Sequence, residues 1–260
     1  MGGADARGRA PRRPGAPDGL KVVGQALRKV DATAKVTGTT KFADDLSLPR
    51  MLYAKLLRSP HPHARIVAID ATGALALPGV KAVLTGRDLP IPFGILPVSQ
   101  DEHALALDKT RFVGDPVAAV AATSEEVATA ALERIVVQYE TLRSFPDALD
   151  AVAHPEPQIH DYADAGNLHK LIDLEFGDVD TGFADADLIQ EDTFFFEGST
   201  HLPMEQHAAV ADWSPDARLT LWTSTQTPHY VHRALAQVLT LAPARIRVIE
   251  IGRASCRERV

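Results

Sequence analysis

The stretch Pro116-Val117-Ala118-Ala119-Val120-Ala121-Ala122 carries no charge and no polar side chain, and Ser124-Glu125-Glu126 follows it almost at once. A run that short and that apolar reads as a buried strand. The hydroxyl and two acids behind it form a helix start, with an N-cap and negative charge in the first turn. Val127, Ala128, Ala131 and Leu132 then give that helix one apolar face. A buried strand backed by a helix needs further strands around it, and the sequence supplies candidates. Met51–Leu57 and Ala64–Ile69 flank the turn Ser59-Pro60-His61-Pro62-His63, Val80–Thr85 follows a Pro78-Gly79 turn, and Ile135–Tyr139 follows the helix. The spacing predicts an α+β domain with a mixed sheet over residues 22–145.

Residues 146–166 have weak periodicity and read as a linker. A second unit is expected over 167–249. It opens with strands over Leu168–Phe176 and Leu188–Phe196 around a short helix near Asp178–Ala186. Two more strands, Ala208–Trp213 and Leu219–Thr223, meet at the turn Ser214-Pro215-Asp216-Ala217. Thr227-Pro228 opens a helix with proline at its first position and a stripe of Val231, Leu235, Val238 and Leu239. Arg245–Ile249 alternates as a last strand.

Both ends depart from these patterns. Residues 1–21 are rich in Gly, Pro and Arg without apolar periodicity and read as a disordered leader. Arg12-Arg13 lacks the apolar stretch that an export signal requires, and with the shortage of cysteines this points to the cytoplasm. Residues 250–260 read as a non-native tail fused to a broken reading frame, which would leave the chain an N-terminal fragment and Cys256 a foreign residue.

Composition removes several function classes. A single cysteine excludes an iron–sulfur cluster or Cys-rich zinc module held by this chain alone. The formal charge is −7, and residues 1–21 carry five basic side chains against two acids, so the body is more acidic still. That balance argues against a nucleic-acid footprint.

The densest polar cluster is Ser199-Thr200-His201-Leu202-Pro203-Met204-Glu205-Gln206-His207. By residue type His201, Glu205 and His207 could ligate zinc, but Pro203 interrupts the helix that an i, i+4 ligand pair uses. Hydrogen-bonded turn residues account for the segment better than a metal site does. Ser224-Thr225-Gln226 joins a strand to a helix N-terminus, where backbone N–H groups favour an anion or a polar cofactor edge. Simple helix capping by Thr225 or Thr227 is the alternative.

Taken together, the residues resemble a known family. Lys35-Val36-Thr37-Gly38, Phe42-Ala43-Asp44-Asp45-Leu46 and Leu57-Arg58-Ser59-Pro60-His61-Pro62-His63-Ala64-Arg65-Ile66 are similar to the opening of the large, molybdenum-binding subunits of the xanthine dehydrogenase and aldehyde oxidase family. Leu77-Pro78-Gly79-Val80, Leu84–Pro90 and Val113–Val120 continue the resemblance, which implies an α/β-hammerhead domain. Gly198–Glu205, Ser224–Pro228 and Arg233–Ala236 resemble the start of a molybdopterin-binding domain. Phe93–Glu102 is most similar to the α subunit of 4-hydroxybenzoyl-CoA reductase.

The resemblance implies a molybdenum-molybdopterin cytosine dinucleotide cofactor, with iron–sulfur and FAD subunits as partners and an aromatic or heteroaromatic substrate. It places Ser199, His201, Glu205 and Gln226 at the cofactor. Ser199 stands where hydroxylase members of the family carry Gln, a departure that questions xanthine-type hydroxylation. The reaction implied is either hydroxylation or, in the reductase, removal of a phenolic hydroxyl. A module that only docks partner subunits and a zinc hydrolase are the readings from other classes.

Overall fold

The structure, a computed structural model, describes residues 22, 27–94, 101–161, 166–198 and 206–251. The first unit opens with a short helix, α1 (Ala32–Val36), and a 3-10 turn at Ala43–Asp45. It then builds two three-stranded sheets. One has the order β1 (Tyr53–Arg58), β5 (Pro116–Ala122), β3 (Val80–Thr85); the other has the order β4 (Lys109–Thr110), β2 (Ala64–Asp70), β6 (Val136–Thr141). Every pairing in both is antiparallel, so two antiparallel sheets stand where a single mixed sheet is expected.

The uncharged run is the central strand of its sheet, β5, as its composition requires. Val117, Ala118, Val120 and Ala122 are sealed from solvent. Helix α3 (Glu125–Leu132) follows, and Ser124 Oγ accepts the N–H of Val127 as the N-cap. Ala128 and Ala131 are fully buried on its inner face, so the helix backbone lies close to the sheet. Helix α2 (Thr72–Leu75) adds Ala74 to a core of Ala118, Val120, Ala131 and Ile135, with Leu57, Ile69, Leu77, Val80, Val83 and Leu132 packed around it. Burying each such valine stabilises the fold by about 1.5–3 kcal/mol. The turn into β3 needs Gly79: its φ is +96° and a Cβ would meet Thr123 Oγ1 at 2.7 Å.

The Ser59–His63 turn differs from the solvated histidine turn that such spacing suggests. His61 packs edge-on to Tyr139 with ring centroids 4.9 Å apart, and His63 is only 2% exposed. Its Nδ1 donates to Arg143 O at 2.7 Å, which leaves Nε2 buried without a partner.

The residues read as a linker are built into this unit. Helix α4 (Ala148–Ala153) lies there, capped by Asp147, whose carboxylate accepts the N–H of Asp150. The chain after it is bonded to β4 and the residue beyond it, through Lys109 and Arg111.

The second unit contains helix α5 (Val179–Ala184) and a sheet β7 (Ala209–Trp213), β8 (Leu219–Thr223), β9 (Ile246–Glu250). The β7–β8 pairing is antiparallel, through a turn in which Ala217 takes φ +59°. The β8–β9 pairing is parallel, and helix α6 (Pro228–Val238), packed against β9, makes the crossover that a parallel pair needs. Val231, Leu235 and Val238 are half-buried on it, whereas Leu239 is exposed.

Two expected strands do not form. Leu168–Phe176 and Leu188–Phe196 are irregular, with Phe176 and Phe194–Phe196 each close to 90% exposed. A strand needs a neighbour to take its backbone hydrogen bonds, and among the described residues these segments have no sheet partner. At the other end β9 runs on through Glu250, paired with Thr223, and Ile251 N–H donates to Thr223 O. Strand structure therefore continues into residues assigned to the tail. No helix is long and apolar enough to cross a membrane among the described residues.

Candidate functional site

The C-terminal end of β8 and the N-terminal end of α6 are joined by Ser224–Thr227, the loop singled out by its strand-to-helix position. Ser224 fixes this loop against the start of β7. Its N–H donates to Ala208 O at 3.1 Å, and its Oγ accepts the N–H of Ala208 at 3.0 Å. Thr225 Oγ1 accepts the N–H of Thr227 at 3.1 Å, closing a tight turn before Pro228. Thr227, the N-cap of α6, makes no side-chain capping bond. Thr225 therefore shapes the turn, and helix capping does not account for Thr227. Gln226 sits at the crest of the turn and is exposed.

Gln206, His207 and Ala208 lead into β7, and His207 is exposed. The chain arriving from the Gly198–Glu205 segment thus reaches β7 beside Ser224. Ser199, His201 and Glu205 themselves lie outside the described residues, so of the four expected cofactor residues the structure places Gln226. Among the described residues no three His, Cys, Asp or Glu side chains gather to hold a metal ion.

The loop's groups suit a polar cofactor edge. The exposed Gln226 carries a carboxamide with both donor and acceptor atoms, whereas the first turn of α6 has little to offer an anion: Pro228 has no N–H, and the N–H groups of Thr227, Tyr230 and Val231 donate to Thr225 Oγ1 and Thr227 O. Nothing in the loop supplies a competing carboxylate.

A denser polar constellation lies in the first unit and has no linear sequence signal. A cavity of about 520 Å³ is lined by Phe93, Asp101, Arg111, Phe112, Asp115 and His160, among others. His160 Nδ1 contacts Asp101 Oδ2 at 2.8 Å, and Arg111 Nη2 lies 3.5 Å from the same oxygen. Burial pushes the Asp115 carboxyl above its ordinary value, against the pull of the Arg111 N–H and guanidinium. The His63 imidazole is held below its ordinary value, first by desolvation, and its bond to the Arg143 carbonyl only partly opposes this. These residues are scattered over the sequence between positions 63 and 160, which is why spacing does not reveal them.

Comparison with known proteins identifies both units. Residues 37–143 match the family model for the aldehyde oxidase and xanthine dehydrogenase a/b hammerhead domain, and residues 159–252 match the molybdopterin cofactor-binding domain. The nicotinate dehydrogenase large molybdopterin subunit of Eubacterium barkeri is 40% identical over 88% of this chain and 53% of its own length. The carbon monoxide dehydrogenase large chain of Afipia carboxidovorans is 32% identical over 88% of this chain and 30% of its own length. Among solved structures, quinoline 2-oxidoreductase from Pseudomonas putida 86 superposes with a TM-score of 0.76 at 31% identity, covering 88% of this chain and 30% of that one. The chain spans about half the length of these relatives or less. With a hammerhead domain followed by a molybdopterin cofactor-binding segment in the same order, the chain belongs to the xanthine dehydrogenase and aldehyde oxidase family and corresponds to part of its molybdenum-binding subunits.

Proposed function

We propose that the chain works as the molybdenum-cofactor subunit of an oxidoreductase acting on an aromatic or heteroaromatic substrate. The observation that carries this reading is the Ser224–Gln226 loop, fastened to the start of β7 inside the span that matches the molybdopterin cofactor-binding domain. We assign Ser199, His201, Glu205 and Gln226 to one cofactor pocket. Support comes from Gln206–Ala208, which follow the first three in sequence and lead into β7 beside the loop holding the fourth.

The cofactor would be molybdenum-molybdopterin cytosine dinucleotide, which supplies the redox chemistry when bound. The chain's own residues bind and orient it. Ser224 holds the loop in register, and Gln226 presents a carboxamide at its crest. Electrons would pass to or from iron–sulfur and FAD subunits, because the chain has one cysteine and cannot ligate a cluster alone. The names of its relatives fit this arrangement: one is the subunit gamma of a 6-hydroxypseudooxynicotine dehydrogenase complex.

Two reaction directions are separable by experiment. Relatives named for nicotinate and quinoline favour hydroxylation of a nitrogen heteroaromatic. The resemblance of Phe93–Glu102 favours reductive dehydroxylation of 4-hydroxybenzoyl-CoA, and Ser199 departs from the Gln that hydroxylase members carry. The test is metal and pterin analysis of the full-length protein purified with its partner subunits, followed by dye-linked assay with each substrate class. Stoichiometric molybdenum with pterin supports the reading, and Gln226→Ala should lower the retained molybdenum. Stoichiometric zinc, or neither metal, overturns it.

A further inference from the structure

The residues between the two matched domains form a contact that no pattern in the sequence announces. Lys109 and Arg111, two apart on one extended stretch, project to the same side. Lys109 is only 7% exposed; its ammonium donates to Gln158 O at 2.6 Å and to Asp161 Oδ1 at 2.8 Å. Arg111 Nε donates to Ile159 O at 2.9 Å, and its Nη2 faces Asp161 Oδ2 at 3.8 Å and Asp101 Oδ2 at 3.5 Å. His160 completes the set through Asp101. Four successive residues, 158–161, are thus gripped through two backbone carbonyls and two side chains.

The gripped strand of chain is also closed on itself. Asn167 Oδ1 accepts the Ile159 N–H at 2.8 Å, and Asn167 Nδ2 donates to His154 O at 2.9 Å. Gly166 takes φ +64° and lies so near Pro155 that a Cβ would sit 2.5 Å from the proline Cβ, which only glycine permits.

We propose that Lys109 and Arg111 form a clasp that pins residues 154–161 and 166–167 to the hammerhead as a fixed strap, so the cofactor-binding segment departs from a rigid anchor and not from a flexible tether. The logic is electrostatic. A buried ammonium needs its counter-charge and acceptors, and here the carbonyl and the carboxylate that receive its hydrogen bonds both belong to the strap. Docking the strap and satisfying Lys109 are one event. The matched cofactor-binding domain begins at residue 159, inside the gripped run, so the clasp sets where that domain starts relative to the hammerhead sheets. This inference stands apart from the substrate and the cofactor.

Hydrogen exchange read by mass spectrometry on the whole 260-residue chain tests it. Lys109→Met keeps the length and removes the charge; Asp161→Asn alters a 67% exposed side chain and should leave the hammerhead folded even where Lys109→Met does not. Exchange of the 155–161 peptide should rise about tenfold or more in either variant, while the β5 and α3 peptides keep their wild-type protection. Equal exchange of the 155–161 peptide in wild type and in both variants overturns the clasp, as does uniform loss of protection across β5 and α3 in the Asp161→Asn chain.

Discussion

The hammerhead unit and the unit after it have similar apolar sequence runs but opposite fates for them. Twelve of the fourteen buried apolar residues among those described lie in the first unit, with Leu219 and Ile246 alone in the second. The second unit instead presents Leu171, Ile172, Leu174, Phe176, Leu188 and Phe194–Phe196 to solvent. Each of these side chains is at least 67% exposed. The difference teaches that alternation gives a segment the capacity to be a strand, whereas a neighbour with free backbone groups makes it one. β5 has β1 and β3 on its two edges; Leu168–Phe176 and Leu188–Phe196 have no such neighbour among the described residues.

The sharpest way to break this comparison is to place a charge in each region. Val120→Asp puts an unpaired carboxylate in the sealed core and should cost about 4 kcal/mol or more, abolishing the cooperative thermal transition of the first unit. Phe195→Asp, at a 90% exposed position, should shift that transition hardly at all and should reduce aggregation. Equal losses from the two substitutions would mean that Phe195 is packed in solution.

The next largest effect concerns the strap. Residues 22–145 contain the capped helix and the sheets, but leave out Gln158 and Asp161, the partners of Lys109. A chain ending at 145 should be less stable to urea than one ending at 167 by about 1.5–3 kcal/mol, the scale for the hydrogen bonds a buried ammonium loses. Coincident unfolding curves would restore the boundary at 145.

A smaller effect should appear with pH, and its sign separates two groups of the hammerhead. The folded His63 resists protonation, so stability is fully present above its ordinary value of 6.5 and is lost as pH falls below it. Asp115 acts oppositely: its folded carboxyl holds a proton more tightly than the ordinary value of 3.8, so protonation near and above that value relieves part of a burial cost. Denaturation from pH 8 to 5 should therefore show falling stability, and His63→Gln should flatten the slope. A slope unchanged by His63→Gln would assign it to another group.

The smallest expected change belongs to the second unit. Ala217 holds φ +59° in the β7–β8 turn, so Ala217→Gly should raise that hairpin's stability by roughly 0.5–1 kcal/mol. Calorimetry of the pair reads it, and a lower transition temperature would contradict the turn geometry.

What is legible in the sequence follows the same physical division. β3, β5 and the Ser124 cap can be read because a strand between two turns and a capped apolar face are encoded in contiguous residues. The Ser224–Gln226 loop can be read for the same reason. Lys109 cannot: in Asp108-Lys109-Thr110 it looks like a solvated charge, and its burial depends on chain about fifty residues away, at Gln158 and Asp161. His63 is likewise opaque, since its cover, Arg143 O, comes from beyond β6. Leu168–Phe176 and Leu188–Phe196 have the pattern of strands without becoming strands, because periodicity is silent about partners.

The central claim is that one sequence carries a closed hammerhead core beside apolar segments open to water. Amide exchange along the whole chain at neutral pH tests it most directly. The account predicts that peptides from Val117–Ala122 and Glu125–Leu132 exchange only through global opening, while those covering 171–176 and 188–196 are fully exchanged at the earliest time point. Protection of 171–176 and 188–196 equal to that of β5 would contradict it.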